Sequence, residues 1–358
     1  MDFALSPDQR LMQDSLTGVL ARAAPLARVR SFAGSGEPVA GDVWAELTAL
    51  GVPGMLIAEE HGGLGLKLLD MALAAEAIGS CVAPSPFLGS AVLAPLALAL
   101  AGSPAQQAAW LPKLAAGEIT AGAVLHEAVA GARDAPGVEA SDGKLTGASM
   151  FAVDTPGADL LVVADRAGRL WLIEGSAADI VLLPTIDATR RFAEVRFDHA
   201  AAEPLAGADA LPALRDAAFV ILAADMLGAA QAMLDKAVAY AKERRQFGRP
   251  IGSFQAVKHL CAEMAAELEP CRALVWYAAY AFDHAPAEAP LVAAHAKAHL
   301  SEVSRFVART ATEVHGGMGF TDLLGLHFWF KRVGLDRQLL GGPENVRSHA
   351  ARLQGLAA

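Results

Sequence analysis

The spacing of apolar residues changes twice along the chain. Over residues 1–115, apolar side chains recur at helical intervals between turns that are rich in glycine and proline. Over residues 116–212, short runs of Val, Leu and Phe bounded by Gly, Asp and Pro predict strands. From residue 213 to the end, helical periodicity returns over long stretches with alanine-rich faces. The pattern predicts an α+β fold, mainly α, with an N-terminal helical domain at 1–115, a middle β domain at 116–212 and a C-terminal four-helix bundle at 213–358.

Individual segments predict particular helices and strands. Ser6 and Pro7 predict a capped helix start, and a second capped helix is expected before the Leu-Pro pair at 111–112. The predicted strands are KLTGASMFAV, LLVVADRAGRLWLI and FAEVRFDHA, and the predicted long helices span 211–245, 253–283 and 286–315.

Length, net charge and cysteine count exclude several classes of protein. A chain of 358 residues is too long for one ordinary core, so two or three domains are expected. The formal net charge of −10, without a clustered basic face, argues against a nucleic-acid partner. Cys81, Cys261 and Cys271 form an odd set without C-x-x-C spacing. The sequence therefore predicts neither a disulfide framework nor a metal site.

Two segments indicate where in the cell the protein is expected. The N-terminal stretch MDFALSPDQRLMQDSL is acidic and amphipathic, unlike a signal peptide. The most apolar run, FLGSAVLAPLALALAG, is interrupted by proline and is short for a bilayer. The sequence therefore predicts a cytoplasmic location and no membrane span.

A basic turn in the C-terminal part is a candidate anion site. In KERRQFGRPIGSFQAVKH, residues 242–259, a helix is expected to end near Arg244 and Arg245, and Ser253 can cap the next helix. Cations beside a turn and a helix N-terminus suit a phosphate. The alternative is that the basic residues only complement the dipole at the helix C-terminus.

Two glycine breaks follow the basic turn. In EVHGGMGF, residues 313–320, glycines allow backbone amides to face a ligand, and QLLGGPENVR, residues 338–347, interrupts a helical pattern close to the end of the chain. Each break can also be read as a helix stop followed by a tight turn.

Together, RRQFGRPIGSFQ, HGGMGF and LLGGPENVR resemble the C-terminal domain of the acyl-CoA dehydrogenase flavoprotein family. AEEHGGLGL and AWLPKLAAGE are similar to the markers of that family's first domain. The resemblance implies oxidation of acyl-CoA thioesters to trans-2-enoyl-CoA. In the family, a carboxylate removes the α-proton, the β-hydrogen leaves as hydride to FAD, and electron-transfer flavoprotein is the expected acceptor.

The resemblance also implies a cofactor shared between subunits. One chain holds the flavin ring, while the C-terminal domain of a neighbour holds the pyrophosphate and adenosine. The implied neighbour-facing positions in this sequence are Arg244, Gln246, Phe247, Ile251, Phe254, Gln255, Glu313, Gly316 and Gly317. Arg244 matches the pyrophosphate arginine, whereas Glu313 replaces a usual glutamine, and a carboxylate near phosphate is unfavourable.

The flavin-ring and base positions depart from the family pattern. The segment LHEAVAGARD, residues 125–134, keeps Glu127 and Asp134 but lacks a hydroxyl, and a Trp-Ile-Thr-like strand has become Phe-Ala-Val at 151–153. The usual catalytic glutamate is replaced by Gly341, and the alternative base position of some members is Ala218. Neither residue has an acid–base group.

Three hypotheses follow from this departure. The first is a non-catalytic subunit of a heteromeric α2β2 acyl-CoA dehydrogenase with a homologous catalytic partner, of the kind that acts on steroid-CoA thioesters. The second is a self-sufficient homotetramer in which Glu344, or Asp216 near Ala218, serves as the base. The third is a flavin-free scaffold or binding protein on the same fold.

Overall fold

The computed structural model describes residues 4–131, 137–207 and 210–357. Its N-terminal part is helical, and a π-helical turn at Leu88–Leu93 leads into the fifth helix. The helices are α1 Pro7–Ala23, α2 Leu26–Ala33, α3 Gly41–Ala49, α4 Leu68–Cys81, α5 Ala94–Ala101 and α6 Pro104–Ala115.

Local sequence accounts for two of these helix starts. Ser6 and Gln9 form a reciprocal capping box at α1, with Pro7 at the first helical position, and Ser103 caps α6 in the same way. The expected stop at the Leu-Pro pair was wrong, because α6 continues through Pro112 to Ala115. One proline in the last turn removes a single backbone hydrogen bond there, and the helix still packs through buried Leu111 and Leu114.

The middle part is one mixed sheet in the order β6-β7-β3-β1-β4-β5-β8, with β2 paired to β3. Among the described strands, only β1 and β4 run parallel, with Ala121 opposite Leu160. The elements are β1 Ala121–Val124, α7 His126–Ala130, β2 Gly137–Ser141, β3 Lys144–Val153, β4 Leu160–Ala164, β5 Leu170–Glu174, β6 Asp179–Leu182, β7 Phe192–Ala201 and β8 Glu203–Pro204.

The C-terminal part consists of three long helices and two shorter ones. Helices α8, α9 and α10 pack against one another, and the last two helices, α11 and α12, pack on α10. The elements are α8 Ala210–Glu243, β9 Arg245–Gln246, β10 Arg249–Pro250, α9 Gln255–His284, α10 Ala289–His315, α11 Leu326–Gln338 and α12 Pro343–Leu353. The predicted α+β, mainly helical fold with a central sheet and C-terminal helices is confirmed, while the exact domain boundaries stay predictions.

Glycines allow α4 and α8 to cross closely. A Cβ on Gly79 would lie 2.1 Å from the Asp225 carbonyl oxygen, and one on Gly228 would lie 1.9 Å from that of Glu76. Both distances are impossible for a side chain, so the crossing that joins the N-terminal helices to the C-terminal ones depends on glycine at both positions.

Buried charges join the same region to the sheet. Arg332 in α11 donates to both carboxylate oxygens of Asp225 in α8 at 2.8 and 2.9 Å, and although burial opposes it, this contact holds the pKa of Asp225 below its usual value. Arg190, before β7, pairs with Asp336 in α11. The network connects three parts of the chain that are distant in sequence.

Helix α8 also has the length and composition of a membrane span. Its most apolar window has a mean hydropathy of 1.8, but 89% of that window is buried inside the protein. A helix that is apolar on all sides is expected at the centre of a large core, which is where α8 lies.

Candidate functional site

The basic turn is built where α8 ends. The Arg244 N–H donates to the Tyr240 carbonyl, and the Arg244 carbonyl accepts from the Ile251 N–H at 2.7 Å, which closes the loop that carries β9 and β10. Phe247 lies at the tip with a φ of +48° and is 91% exposed. The Ser253 hydroxyl donates to the Pro250 carbonyl, so the expected cap on α9 was wrong.

Aromatic stacking brings the first glycine break beside this turn. The Tyr240 ring in α8 stacks on His315 in α10, with centroids 4.6 Å apart. Gly316 and Gly317 follow directly, at the start of a short 3-10 turn. The basic turn and the glycine turn are therefore held on adjacent helix ends.

The two glycines face open space. A Cβ on Gly316 or Gly317 would meet no protein atom within 4 Å. Gly316 also has a φ of 59° and a ψ of −140°, a conformation that L side chains avoid, but Gly317 has no such requirement. Packing among the described residues does not explain Gly317, and the open space beside it leaves room for a ligand to approach the backbone.

Most of the neighbour-facing residues lie on the surface. The half-buried ones are Ile251 and Phe254, and the exposed ones are Arg244, Gln246, Phe247, Gln255, Glu313, Gly316 and Gly317. Arg249, which was not singled out from the sequence, lies over the Phe254 ring at 4.1 Å. An arginine close in sequence to Phe254 was the signal that could have identified this contact.

The second glycine break forms a strained turn between α11 and α12. Leu340 has a φ of +58° and Gly341 a φ of +112°. Two consecutive positive φ values aim the chain sharply into α12, and the conformation at 341 disfavours any residue with a side chain. This position is therefore unsuited to glutamate in its present backbone.

A cleft of about 430 Å³ opens beside this turn. Gly341 and Phe219 line it, together with the end of α7 and one face of α12. Ala218 is completely buried and lies outside the lining. Among the described lining residues none is an aspartate or a glutamate.

The two alternative bases point elsewhere. The Glu344 side chain is 71% exposed and pairs with Arg337 at 3.4 Å. Asp216 is buried, and burial raises its pKa, which is a property of many general bases. However, its Oδ1 is engaged by Arg215 at 2.7 Å, and the residue does not line the cleft.

Aromatic rings fill the positions that the resemblance assigns to flavin contacts. His126 is buried, its Nδ1 accepts from the Leu340 N–H at 3.2 Å, and its ring lies 5.3 Å from that of Phe151. Phe151 lies at an irregularity in the β3–β7 register with a φ of +55°. Sequence reasoning missed His126, although a histidine where a hydroxyl is expected was visible.

Glu127 and Asp134 are the acidic residues of the same segment. Glu127 accepts from the Met150 N–H at 3.4 Å through Oε1, and its buried Oε2 has no hydrogen-bond partner in the described part of the chain. Asp134 lies outside the described residues.

Comparisons with known proteins agree with this organisation. The acyl-CoA dehydrogenase N-terminal domain matches residues 6–118 and the C-terminal domain of the same family matches residues 218–353. Acyl-CoA dehydrogenase IpdE2 of Mycobacterium tuberculosis is 34% identical over 342 residues, which cover 95% of each chain. IpdE2 of Mycolicibacterium smegmatis is 31% identical and covers 95% of this chain and 96% of the relative.

Solved structures show the same fold over the whole chain. A variant of the Tcur3481-Tcur3483 steroid ACAD superposes with a TM-score of 0.88 at 28% identity, covering 97% of this chain and 98% of that one. The ChsE4-ChsE5 complex from Mycobacterium tuberculosis has a TM-score of 0.91 at 24% identity, with complete coverage of both chains. The chain belongs to the acyl-CoA dehydrogenase family, flavoprotein oxidoreductases that act on a CH–CH bond.

Proposed function

We propose that this chain is the base-lacking subunit of a heteromeric FAD-dependent acyl-CoA dehydrogenase. In this role it contributes pyrophosphate and adenosine contacts to the active site of a homologous catalytic partner. The observation that carries the proposal is a contrast within one chain: the cleft at the base position has no described carboxylate, whereas the outward-facing cofactor positions are exposed and open.

The base position supports the first half of the proposal. Gly341 and Ala218 have no acid–base group, and the two nearest candidates are directed to Arg337 and Arg215. General base catalysis needs a group within hydrogen-bond reach of the proton that it removes. The described residues of this cleft provide no carboxylate for that step.

The two halves of an FAD fit this chain differently. His126 and Phe151 fill the positions assigned to the flavin ring, and the hydrogen bond to Leu340 holds His126 in place. The outer positions fit, because Arg244 can pair with phosphate oxygens and a dinucleotide can approach the backbone at Gly317. When bound in the partner's site, the flavin would supply the hydride acceptor, and this chain would hold its outer half.

The partner and substrate are inferred from relatives. The similar structure at 28% identity is the Tcur3481-Tcur3483 steroid ACAD, which supports a heteromer acting on a steroid-CoA thioester. An α2β2 assembly and electron-transfer flavoprotein as acceptor belong to the same proposal.

Flavin stoichiometry tests the assembly. The chain purified alone should carry little FAD, and co-expression with a glutamate-bearing relative should give about one FAD per pair, because each unlike interface completes one site. Absorbance in the flavin bands and protein quantification measure the ratio. A homomer saturated with one FAD per chain would contradict the proposal.

A further inference from the structure

The cleft beside Gly341 is positively charged at one end. Arg215 in α8 and His349 and Arg352 in α12 line it together. Burial, together with the positive charges of Arg215 and Arg352, lowers the pKa of His349 to about 4. The imidazole is therefore neutral near pH 7, and the positive charge at this end of the cleft is that of the two lining arginines.

Among the described residues, the nearby carboxylates leave part of this charge uncompensated. Asp216, outside the lining, accepts from Nε and Nη2 of Arg215 at 2.8 and 2.7 Å, which leaves Nη1 without a partner in the described part of the chain. Glu344 is directed to Arg337, and Glu127 lines a neighbouring cleft. Arg352 has no ion-pair partner among the described residues.

An unpaired polar atom lies in the same place. The Nε2 of His349 is buried and has no hydrogen-bond partner within residues 4–131, 137–207 and 210–357. A buried polar atom without a partner is unfavourable, and a bound ligand with oxygen atoms can satisfy it.

The rest of the lining is apolar. Phe219 lies one helical turn after Arg215 on α8, and Leu340 and Gly341 form the turn that precedes α12. Val129 contributes a further apolar side chain from α7. The cleft therefore combines a cationic end with an apolar end within about 430 Å³.

We propose that this cleft binds a small organic carboxylate. The carboxylate lies between Arg215 and Arg352 beside His349, and the apolar body lies against Phe219 and Leu340. The inference rests on the proposed function in one respect: a cleft without a base would hold this ligand without transforming it. The class of ligand is assigned from the lining residues and their charge, and does not depend on that function.

Matched probes test the charge requirement. Isothermal titration calorimetry of the full chain compares cyclohexanecarboxylate with cyclohexanecarboxamide, which has nearly the same shape without the charge. The carboxylate should bind about tenfold tighter or more, because charge-assisted hydrogen bonds exceed neutral ones. Equal affinity for the two probes, or no binding of either, would overturn the proposal.

Variants on one helix locate the site. Arg352→Gln should remove most of the preference for the carboxylate, whereas Arg347→Gln should retain it, because Arg347 is directed to Glu302 outside the cleft. Both arginines are exposed, so both variants should fold. An equal loss in the two variants would refute the assigned site.

A third probe separates this ligand class from a bare anion. Inorganic phosphate should compete weakly, because it makes no contact with the apolar end, and competition as strong as that of the carboxylate would contradict the assignment. These measurements need neither FAD nor a partner chain. The carboxylate site and the heteromeric function can therefore fail separately.

Discussion

Arg244 provides the sharpest test of the surface that we propose serves a neighbour's cofactor. Its side chain is exposed and makes no hydrogen bond or ion pair with another described residue, and its hydrogen bonds within the described chain are those of its backbone. Arg244→Ala should therefore change the free energy of unfolding by no more than about 0.5 kcal/mol, as is usual for surface positions away from special features. Any loss of cofactor then reports on binding and not on folding.

The expected effect on the complex is large. Truncating one partner of a hydrogen-bonded charge pair costs about 2 to 5 kcal/mol. Since about 1.4 kcal/mol is a factor of ten, the variant complex should hold FAD roughly 30-fold to several thousand-fold more weakly. Flavin absorbance per pair, measured after gel filtration of the co-purified complex, should fall sharply.

The adjacent arginine supplies the control. Arg245 is also exposed, but its Nη2 donates to the Gly248 carbonyl within the loop at 3.2 Å. Arg245→Ala should keep most of the flavin, and the Tm of both variants without FAD should match that of the unmodified chain. Full flavin content in the Arg244→Ala complex would refute the assignment.

Carboxylates elsewhere in the chain give three more tests. Glu344→Gln and Asp216→Asn should leave turnover of the complex nearly unchanged, and a fall by about 10² or more, with binding intact, would place the base in this chain. Asp225→Asn should lower the free energy of unfolding in urea by about 3 to 5 kcal/mol, because Arg332 stays buried without its counter-charge, and a loss below about 1 kcal/mol would argue against this. Burial raises the pKa of Asp154 from 3.8 to about 6, so its contribution to stability is complete below 3.8 and is lost as the pH rises through about 6. Asp154→Asn should therefore be about 3 kcal/mol more stable than the unmodified chain near pH 8 and similar to it near pH 4, since one pKa unit corresponds to about 1.4 kcal/mol and the hydrogen bond from Gly89 is already included in this pKa. A difference independent of pH would contradict this.

Regular elements were predictable because their signals are local. The three long helices begin and end within three residues of their predicted bounds, and β3 matches its predicted span. Apolar spacing fixes which residues face the core, and that pattern is visible over a few turns. Pro112 was misread because tertiary packing, which retains the last turn of α6, outweighs the local preference of proline.

The site was only partly predictable. The motif order identified the basic turn and both glycine breaks, but the contact between His126 and Leu340 joins residues 214 positions apart. No local pattern predicts such a contact. The charged end of the cleft was missed for the same reason, because Arg215 and His349 belong to helices that meet only in the folded chain.

The loss of a base that we propose for this chain involves more than one side chain. The Leu340 N–H donates to His126, His126 lies against Phe151, and Gly341 has a φ of +112° directly after Leu340. These contacts couple the base position to the positions assigned to the flavin ring, so the turn at 341 and the filling of the flavin site support one another. A glutamate at 341 would carry a strain of about 1 to 3 kcal/mol in this backbone, and relieving it would require moving Leu340 away from His126. The two departures from the family pattern, which look independent in the sequence, therefore form one structural unit in the fold.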